Sequence, residues 1–228
     1  MTSHPLLLIT IDGPAGAGKT TVSKMLATTL NYRYLDTGAL YRAVAYAVSQ
    51  QDVQADDEQG VADVCTALRI RFAGDRLLLN DADISEHIRT PEITMLASAV
   101  SAHPAVRRAL LNIQRDMGRR GGLVAEGRDM GTVVFPEADL KFFLDASIHQ
   151  RALRRFTQYG EARGGQTLDE IERDIRRRDE NDSNRDIAPL RPAAEAIIID
   201  STRLPAQQVV DLMLTHVHQR IHHSPNEE

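Results

Sequence analysis

Short, uninterrupted apolar runs recur along the chain at Leu6–Ile11, Tyr32–Leu35, Leu123–Ala125, Leu140–Leu144 and Ala196–Ile199. A run this short, without polar alternation, fits a strand covered on both faces. Between the runs, apolar residues fall at helical spacing. Thr20–Leu30 places Val22, Met25, Leu26 and Leu30 on one side, and similar spacing predicts helices over Pro104–Met117, Ile148–Tyr159 and Leu168–Arg178. Strands alternating with helices predict an α/β fold, a five-stranded parallel sheet covered on both faces.

Two stretches break this rhythm. Between Asp52 and His103 the segment RIRFAGDRLLLND reads as a hairpin turning at Gly74-Asp75, flanked by helical patterns, and so as an insertion after the second core strand. Gly160 to Asp186 reads as two charged helical pieces around Gly164-Gly165. It contains RRRDENDSNRD, Arg176 to Asp186, four arginines and four acids with nothing apolar. Such a segment is either the solvated face of a helix running into a loop, or a set of arginines placed for phosphates. The final HSPNEE reads as a frayed tail.

A length of 228 residues suits one domain with insertions, and a formal charge of -5 argues against a general binder of nucleic acid or of membrane surfaces. Aromatic residues, 4% of the chain, are also few for base stacking. Lys19, Lys24 and Lys141 are the only lysines; every other basic residue is arginine. That bias is either genomic composition or a use of the planar guanidinium fork on phosphate and carboxylate. The single cysteine, Cys65, cannot close an internal disulfide and lies in the apolar pattern VADVCTALRI, so a buried thiol in a reducing compartment is expected. No apolar run approaches the roughly 20 residues of a membrane span, and MTSHPLLLITIDG has no basic leader. A cytoplasmic protein is expected. The histidines of HVHQRIHH, His216 to His223, lack acids or cysteines to complete a metal site and read as a solvated helix end.

The strongest chemical signal is GPAGAGKT, Gly13 to Thr20, which matches G-x-x-x-x-G-K-[ST] between a buried strand and a helix. Its glycines let successive backbone N–H groups turn inward onto phosphate oxygens, and the following helix N-terminus adds positive potential. Lys19 would reach the β- and γ-phosphates, and the Thr20 hydroxyl would help hold Mg²⁺. No NKxD stretch is present to read guanine, and no apolar strand ends in the Asp-Glu pair of ATP-driven machines. A compact small-molecule kinase remains.

DTGALYR, Asp36 to Arg42, follows the second strand at the sheet edge where α/β proteins bind ligands. Thr37 and Arg42 there make either an anion site or, with Asp36, a plain helix cap. EGRDMGT, Glu126 to Thr132, follows the third strand and sets an arginine fork beside a carboxylate, for a ligand or as an internal ion pair.

Together GPAGAGKTT, DTGALYR, EIRTPE, EGRDMGTVVFPEA, RRRDENDSNR and AIIIDST, in this order and spacing, resemble the bacterial cytidylate kinases. The likeness runs from Leu8 to about Leu214. It implies a P-loop kinase core (residues 1–36, 104–150 and 187–228), a nucleoside-monophosphate-binding region with an insertion (37–103) and a mobile helical lid (151–186). It implies transfer of the γ-phosphoryl group of ATP to CMP or dCMP, with Mg²⁺. By the same likeness Gly13, Pro14, Ala15, Gly16, Ala17, Gly18, Lys19, Thr20 and Thr21 would cradle ATP. Thr37, Arg42, Arg128 and Arg185 would hold the CMP phosphate, while Ser98, Arg107 and Asp129 would read cytosine. Asp182 would take ribose hydroxyls, and Arg178, with either Arg154 or Arg176, would neutralise the transferring phosphoryl group. A carboxylate at Asp129 suits the task, since cytosine carries an amino donor that uracil lacks. Two departures stand out: Glu126 occupies a position where many members have aspartate, and Thr37 one where many have serine. The likeness also implies that acids of RRRDENDSNRD pair its arginines when the lid is open, that Arg177 is plain surface, and that the protein is a monomer. A uridylate or thymidylate kinase, and a nucleotide-binding module without catalysis, are the rival readings.

Overall fold

A computed structural model describes residues 6–74, 76–159 and 166–222. Asp75 of the expected hairpin turn, Gly164-Gly165, His223 and the terminal segments lie outside the described residues.

The elements follow in chain order: β1 (Leu8–Asp12), α1 (Lys19–Leu30), β2 (Arg33–Asp36), α2 (Thr37–Gln50), α3 (Glu58–Ala67), β3 (Ile70–Ala73), β4 (Arg76–Leu79), β5 (Ala82–Asp83), α4 (Pro91–Val100), α5 (Pro104–Gly118), β6 (Leu123–Gly127), β7 (Leu140–Asp145), α6 (Ile148–Tyr159), α7 (Leu168–Asn184), β8 (Ile197–Asp200) and α8 (Ala206–His222). The five expected core strands form one sheet in the order β2-β6-β1-β7-β8. The β1–β6, β1–β7 and β7–β8 pairings are all parallel. All five residues of β1 are buried, as a central strand covered on both faces demands.

The chain divides into two compact units. One comprises the described residues of 1–35, 117–184 and 188–228; the other comprises residues 36–116 and 185–187. The first is the α/β sheet. Its core joins Leu7, Ile9, Ile11, Leu26, Phe142 and Leu144 to Val209, Val210, Met213 and Val217 of α8. A satellite cluster, Ala152 with Ile171 and Ile175, packs α6 on α7. The second unit holds the insertion. Strand β3 pairs antiparallel with β4, as the hairpin reading expects, and a two-residue strand β5 adds to it.

Local chemistry sets the helix starts of the second unit. Asp36 caps α2 through Ala39 N at 3.0 Å, Asp57 caps α3 through Gly60 N at 2.9 Å, and Thr90 caps α4 ahead of Pro91.

Several boundaries correct the sequence reading. β1 starts two residues late, leaving Leu6 largely exposed, and runs on to Asp12. α7 continues six residues past Arg178 to Asn184 through a stretch with no apolar period. Cys65 is half-buried rather than buried, because Val61 and Val64 take the inward side of α3, and partial burial pushes its thiol pKa up. In the histidine-rich end, the His216 ring meets the edge of Phe142 at 6.2 Å, so that histidine is not simply solvated. Among the described residues, no group of three or more His, Cys, Asp or Glu is arranged to hold a metal ion, and no helix is long and apolar enough to cross a membrane.

Candidate active site

In the sheet unit, Gly13 to Gly18 form the turn from β1 into α1. Gly18 caps the helix with φ 97°, a left-handed conformation that favours glycine. Lys19, 6% exposed, folds back across the turn and donates from Nζ to the carbonyls of Gly13 and Pro14, each at 2.7 Å. Burial first, and then the Arg128 guanidinium, holds the Lys19 pKa well below the usual lysine range. Arg178 acts in the same direction, while Glu126 and Asp12 oppose it. The lysine therefore stands in excess positive field, which an anion would relieve.

Two arginines of α6 dock on the outer side of this turn. Arg151 Nη1 donates to Ala15 O at 3.1 Å, and Arg154 Nη1 donates to Ala17 O at 3.0 Å. Arg154 also bonds Ser201 O and Oγ, at 2.5 and 3.1 Å. The carbonyls of Ala15 and Ala17 thus have donors, as curled backbone requires. Of the two alternatives offered for charge neutralisation, Arg154 stands against the turn and Arg176 is exposed on α7.

The segment after β6 is held by a residue that the sequence reading missed. Asp12, the last residue of β1, accepts from Met130 N and Gly131 N, one carboxylate oxygen to each, both at 2.8 Å. Residues 130–134 then turn widely, with Val134 N bonding Asp129 O at 3.2 Å and Phe135 N bonding Met130 O at 2.7 Å, a five-residue closure of the kind found at functional sites. Asp129 is 2% exposed at the start of this turn. Arg128 donates from Nε to Asp182 Oδ2 of α7 at 2.9 Å and from Nη1 to Gly127 O at 3.2 Å. Glu126, buried at the end of β6, accepts from the Tyr34 hydroxyl. The sequence signal for Asp12 was slight: it lay at the end of an apolar run just before the glycine turn.

Burial raises the Asp12 pKa to about 6, against the lowering effect of the Gly131 and Met130 amides; Asp129 adds to the rise and Lys19 opposes it. Its ordinary value is 3.8, so between about pH 4 and 6 the folded state binds a proton that the unfolded chain has lost. This group therefore favours folding more at acid than at neutral pH. The stability of the parent relative to Asp12→Ala should rise as pH falls from 7 to 4.5, by up to about 2 kcal/mol, in urea titrations at the two pH values.

Within RRRDENDSNRD, Asp179 and Asp182 reach arginines outside the segment, Arg151 at 2.6 Å and Arg128 at 2.9 Å. Arg177 is exposed and pairs with Asp174 of its own helix at 3.3 Å.

The second unit brings together its own set. Asp36 uses Oδ1 to cap α2 and Oδ2 to hold Arg42 Nη2 at 2.9 Å, so cap and arginine share one carboxylate. Thr37 is buried beside them. Arg107 donates to Ser101 O at 3.2 Å and lies over the Tyr41 ring, with its guanidinium carbon 5.7 Å from the centroid. Arg185 donates to Ser101 Oγ at 3.2 Å, and Ser101 Oγ donates in turn to Ser98 O at 2.8 Å. Ser98 and Arg107, near Ser101 in sequence, and Arg185, distant from it, thus gather around Ser101. The sequence reading did not single out Ser101.

Comparison with known proteins gives the family of the chain. The sequence profile of the cytidylate kinase family matches residues 9–219. A cytidylate kinase of Citrifermentans bemidjiense is 45% identical over 219 residues, 94% of each chain. One of Geobacter sulfurreducens is 46% identical over 224 residues, 96% of each chain. A solved structure of an uncharacterized protein from Eubacterium ventriosum, 12% identical, superposes with a TM-score of 0.53 over 94% of this chain and 99% of that one, a likeness of fold alone. Matched across nearly its whole length by the profile and by such relatives, this chain belongs to the cytidylate kinase family, nucleoside monophosphate kinases that act as phosphotransferases.

Proposed function

We infer that the protein is a cytidylate kinase that transfers the γ-phosphoryl group of ATP to CMP or dCMP, giving ADP and CDP or dCDP. The observation that carries this reading is the glycine turn of residues 13–18 with Lys19 folded across it, followed in the same unit by a Gly-Arg-Asp turn fixed to β1 through Asp12. One is built for polyphosphate, and the other offers a guanidinium beside a carboxylate.

In this proposal Gly13 to Thr21 hold ATP, and Lys19 follows the β- and γ-phosphates. Thr37, Arg42, Arg128 and Arg185 hold the acceptor phosphate. Ser98, Arg107 and Asp129 read the base, with Asp129 accepting from the cytosine amino group. Asp182 engages ribose hydroxyls in exchange for its bond to Arg128, and Arg178 with Arg154 spreads the charge of the phosphoryl group in flight. The attacking atom is a phosphate oxygen already ionised at neutral pH, so the protein needs no strong general base. Positioning and electrostatics carry the reaction. Residues 37–103 serve as the acceptor-binding region and 151–186 as the lid, in a monomer working in the cytoplasm.

A hydroxyl in the first turn of α1, at Thr20, and the carboxylates of Asp12 and Glu126 at the ends of β1 and β6 are hard oxygen donors, a set that suits Mg²⁺ arriving on a nucleotide rather than in an all-protein cage. Thr20 would hold it, and the ion would supply positive charge against the phosphates.

The test is ADP release from ATP-Mg²⁺ with CMP, dCMP, UMP, AMP and dTMP offered singly. Turnover with CMP and dCMP at least roughly tenfold above the others is expected, a margin that one well-placed hydrogen bond to the base supplies. A preferred acceptor without the cytosine amino group would overturn the role of Asp129. Silence with all five, from protein that still binds ATP, would overturn the kinase reading.

A further inference from the structure

We propose that Arg151 and Asp179 form a positioning pair that fixes helix α7 to the phosphate loop, so that a nucleotide seated in the loop and the groups carried by α7 are energetically coupled. The proposal rests on the kinase reading above and adds Arg151, outside the motifs that led to it, and Asp179, an acid of RRRDENDSNRD for which that reading named no partner beyond the segment.

Arg151 lies in the first turn of α6 with a side chain only 5% exposed. Its guanidinium donates to three separate segments. Nε reaches Ala146 O at 2.8 Å, between β7 and α6, and Nη1 reaches both Ala15 O at 3.1 Å, in the loop, and Asp179 Oδ2 at 2.6 Å, on α7. The contact with the loop is also steric. A Cβ added to Gly16 would lie 3.1 Å from Arg151 Cβ and 3.3 Å from its carbonyl oxygen, so the first turn of α6 sits directly on the loop backbone. A guanidinium this buried needs a counter-charge, and Asp179 supplies it.

The pair does not act alone on α7. Asp182, three residues on and so on the same face of the helix, holds Arg128, which in turn donates to Gly127 O. α7 is thus tied at two points, each a carboxylate gripping an arginine that also grips backbone near the nucleotide-side loops. Arg178 sits next to Asp179 on this doubly tied helix. Loosening the Asp179 tie lets the helix shift against the loop, and Arg178 with it, while the loop amides still receive ATP.

The experiment compares Asp179→Ala, Asp179→Asn, Arg151→Lys and the Arg151→Lys/Asp179→Ala double variant with the parent. Steady-state kinetics with ATP-Mg²⁺ and CMP give kcat and KM; titration of CMP with and without a non-hydrolysable ATP analogue gives the coupling; amide hydrogen exchange without substrates reports on α7. Asp179→Ala should lower kcat roughly tenfold or more while KM for ATP moves less than about threefold, and Asp179→Asn should lose less. The benefit of the analogue for CMP affinity should shrink. The double variant should be no worse than Asp179→Ala, as members of one network behave. Amides of residues 171–182 should exchange roughly tenfold faster.

A tenfold rise in KM for ATP at unchanged kcat would make Arg151 an ATP ligand instead. Additive losses in the double variant, unaltered exchange, or activity that merely follows melting temperature across all four variants would each overturn the pairing. If the parent forms no ADP with any acceptor, the kinase reading fails by itself, and the exchange data still decide whether the pair fixes α7.

Discussion

Replacing Lys19 with methionine is expected to lower ADP formation from ATP and CMP by roughly a hundred- to a thousand-fold, the loss seen when one preorganised donor to a developing charge is removed. Methionine keeps the length and apolar stem of the side chain and removes the ammonium. That ammonium is nearly enclosed, donating to the carbonyls of Gly13 and Pro14. Its pKa is depressed first by burial and then by Arg128, so its charge is held at some cost until polyphosphate arrives. As the γ-phosphoryl group loosens, negative charge shifts toward the β–γ bridging oxygen and ADP, where an ammonium spanning both phosphates gains most. The deficit should therefore be larger in kcat than in the affinity for ATP measured by calorimetry. Turnover within threefold of the parent would remove Lys19 from the transfer step.

Gly13→Ala should be among the most damaging single methyls in the sheet unit. A Cβ at this position would stand 2.0 Å from the carbonyl oxygen of Leu144, in the neighbouring strand β7. Backbone cannot rotate away as a side chain can, and Gly13 also adopts φ +147°, outside the range that alanine favours. Strain in the backbone and overpacking against β7 together should cost about 3 kcal/mol or more, read as a lowered midpoint in urea titration. Gly74→Ala is a useful contrast. Its φ is +61°, yet a Cβ there would meet no other element among the described residues within 4 Å, so only conformational strain remains and the loss should be about 1 kcal/mol.

The sheet and the phosphate loop were legible because each has a local signature. A strand buried on both faces must be an unbroken apolar run, and a loop that turns its amides inward must have glycine where φ is positive. What escaped depends on partners distant in sequence. Asp12 reads as the polar end of a strand until Met130 and Gly131, more than a hundred residues away, are seen donating to it. Arg151 reads as one more charge on an amphipathic helix, with no hint of Ala15 or Asp179. α7 outruns its predicted end because its last turns hold no apolar stripe. Asp179 and Asp182 fasten them to Arg151 and Arg128 instead, and periodicity is blind to ion pairs. In the second unit, the motif residues Thr37 and Arg42 were found by spacing. Ser101 was not, since a serine near a helix end is ordinary until two arginines converge on it.

The scarcity of lysine has a practical side. Lys19 and Lys141 are both buried, the latter bonded to Pro136 O and Glu195, which leaves Lys24 as the one exposed lysine of the sequence. Amine-directed reagents that tag most proteins at many positions would find a single exposed side-chain target here, on α1, beside the α-amine of the chain, so a dye or tether attached by that chemistry would report from very few places on the molecule.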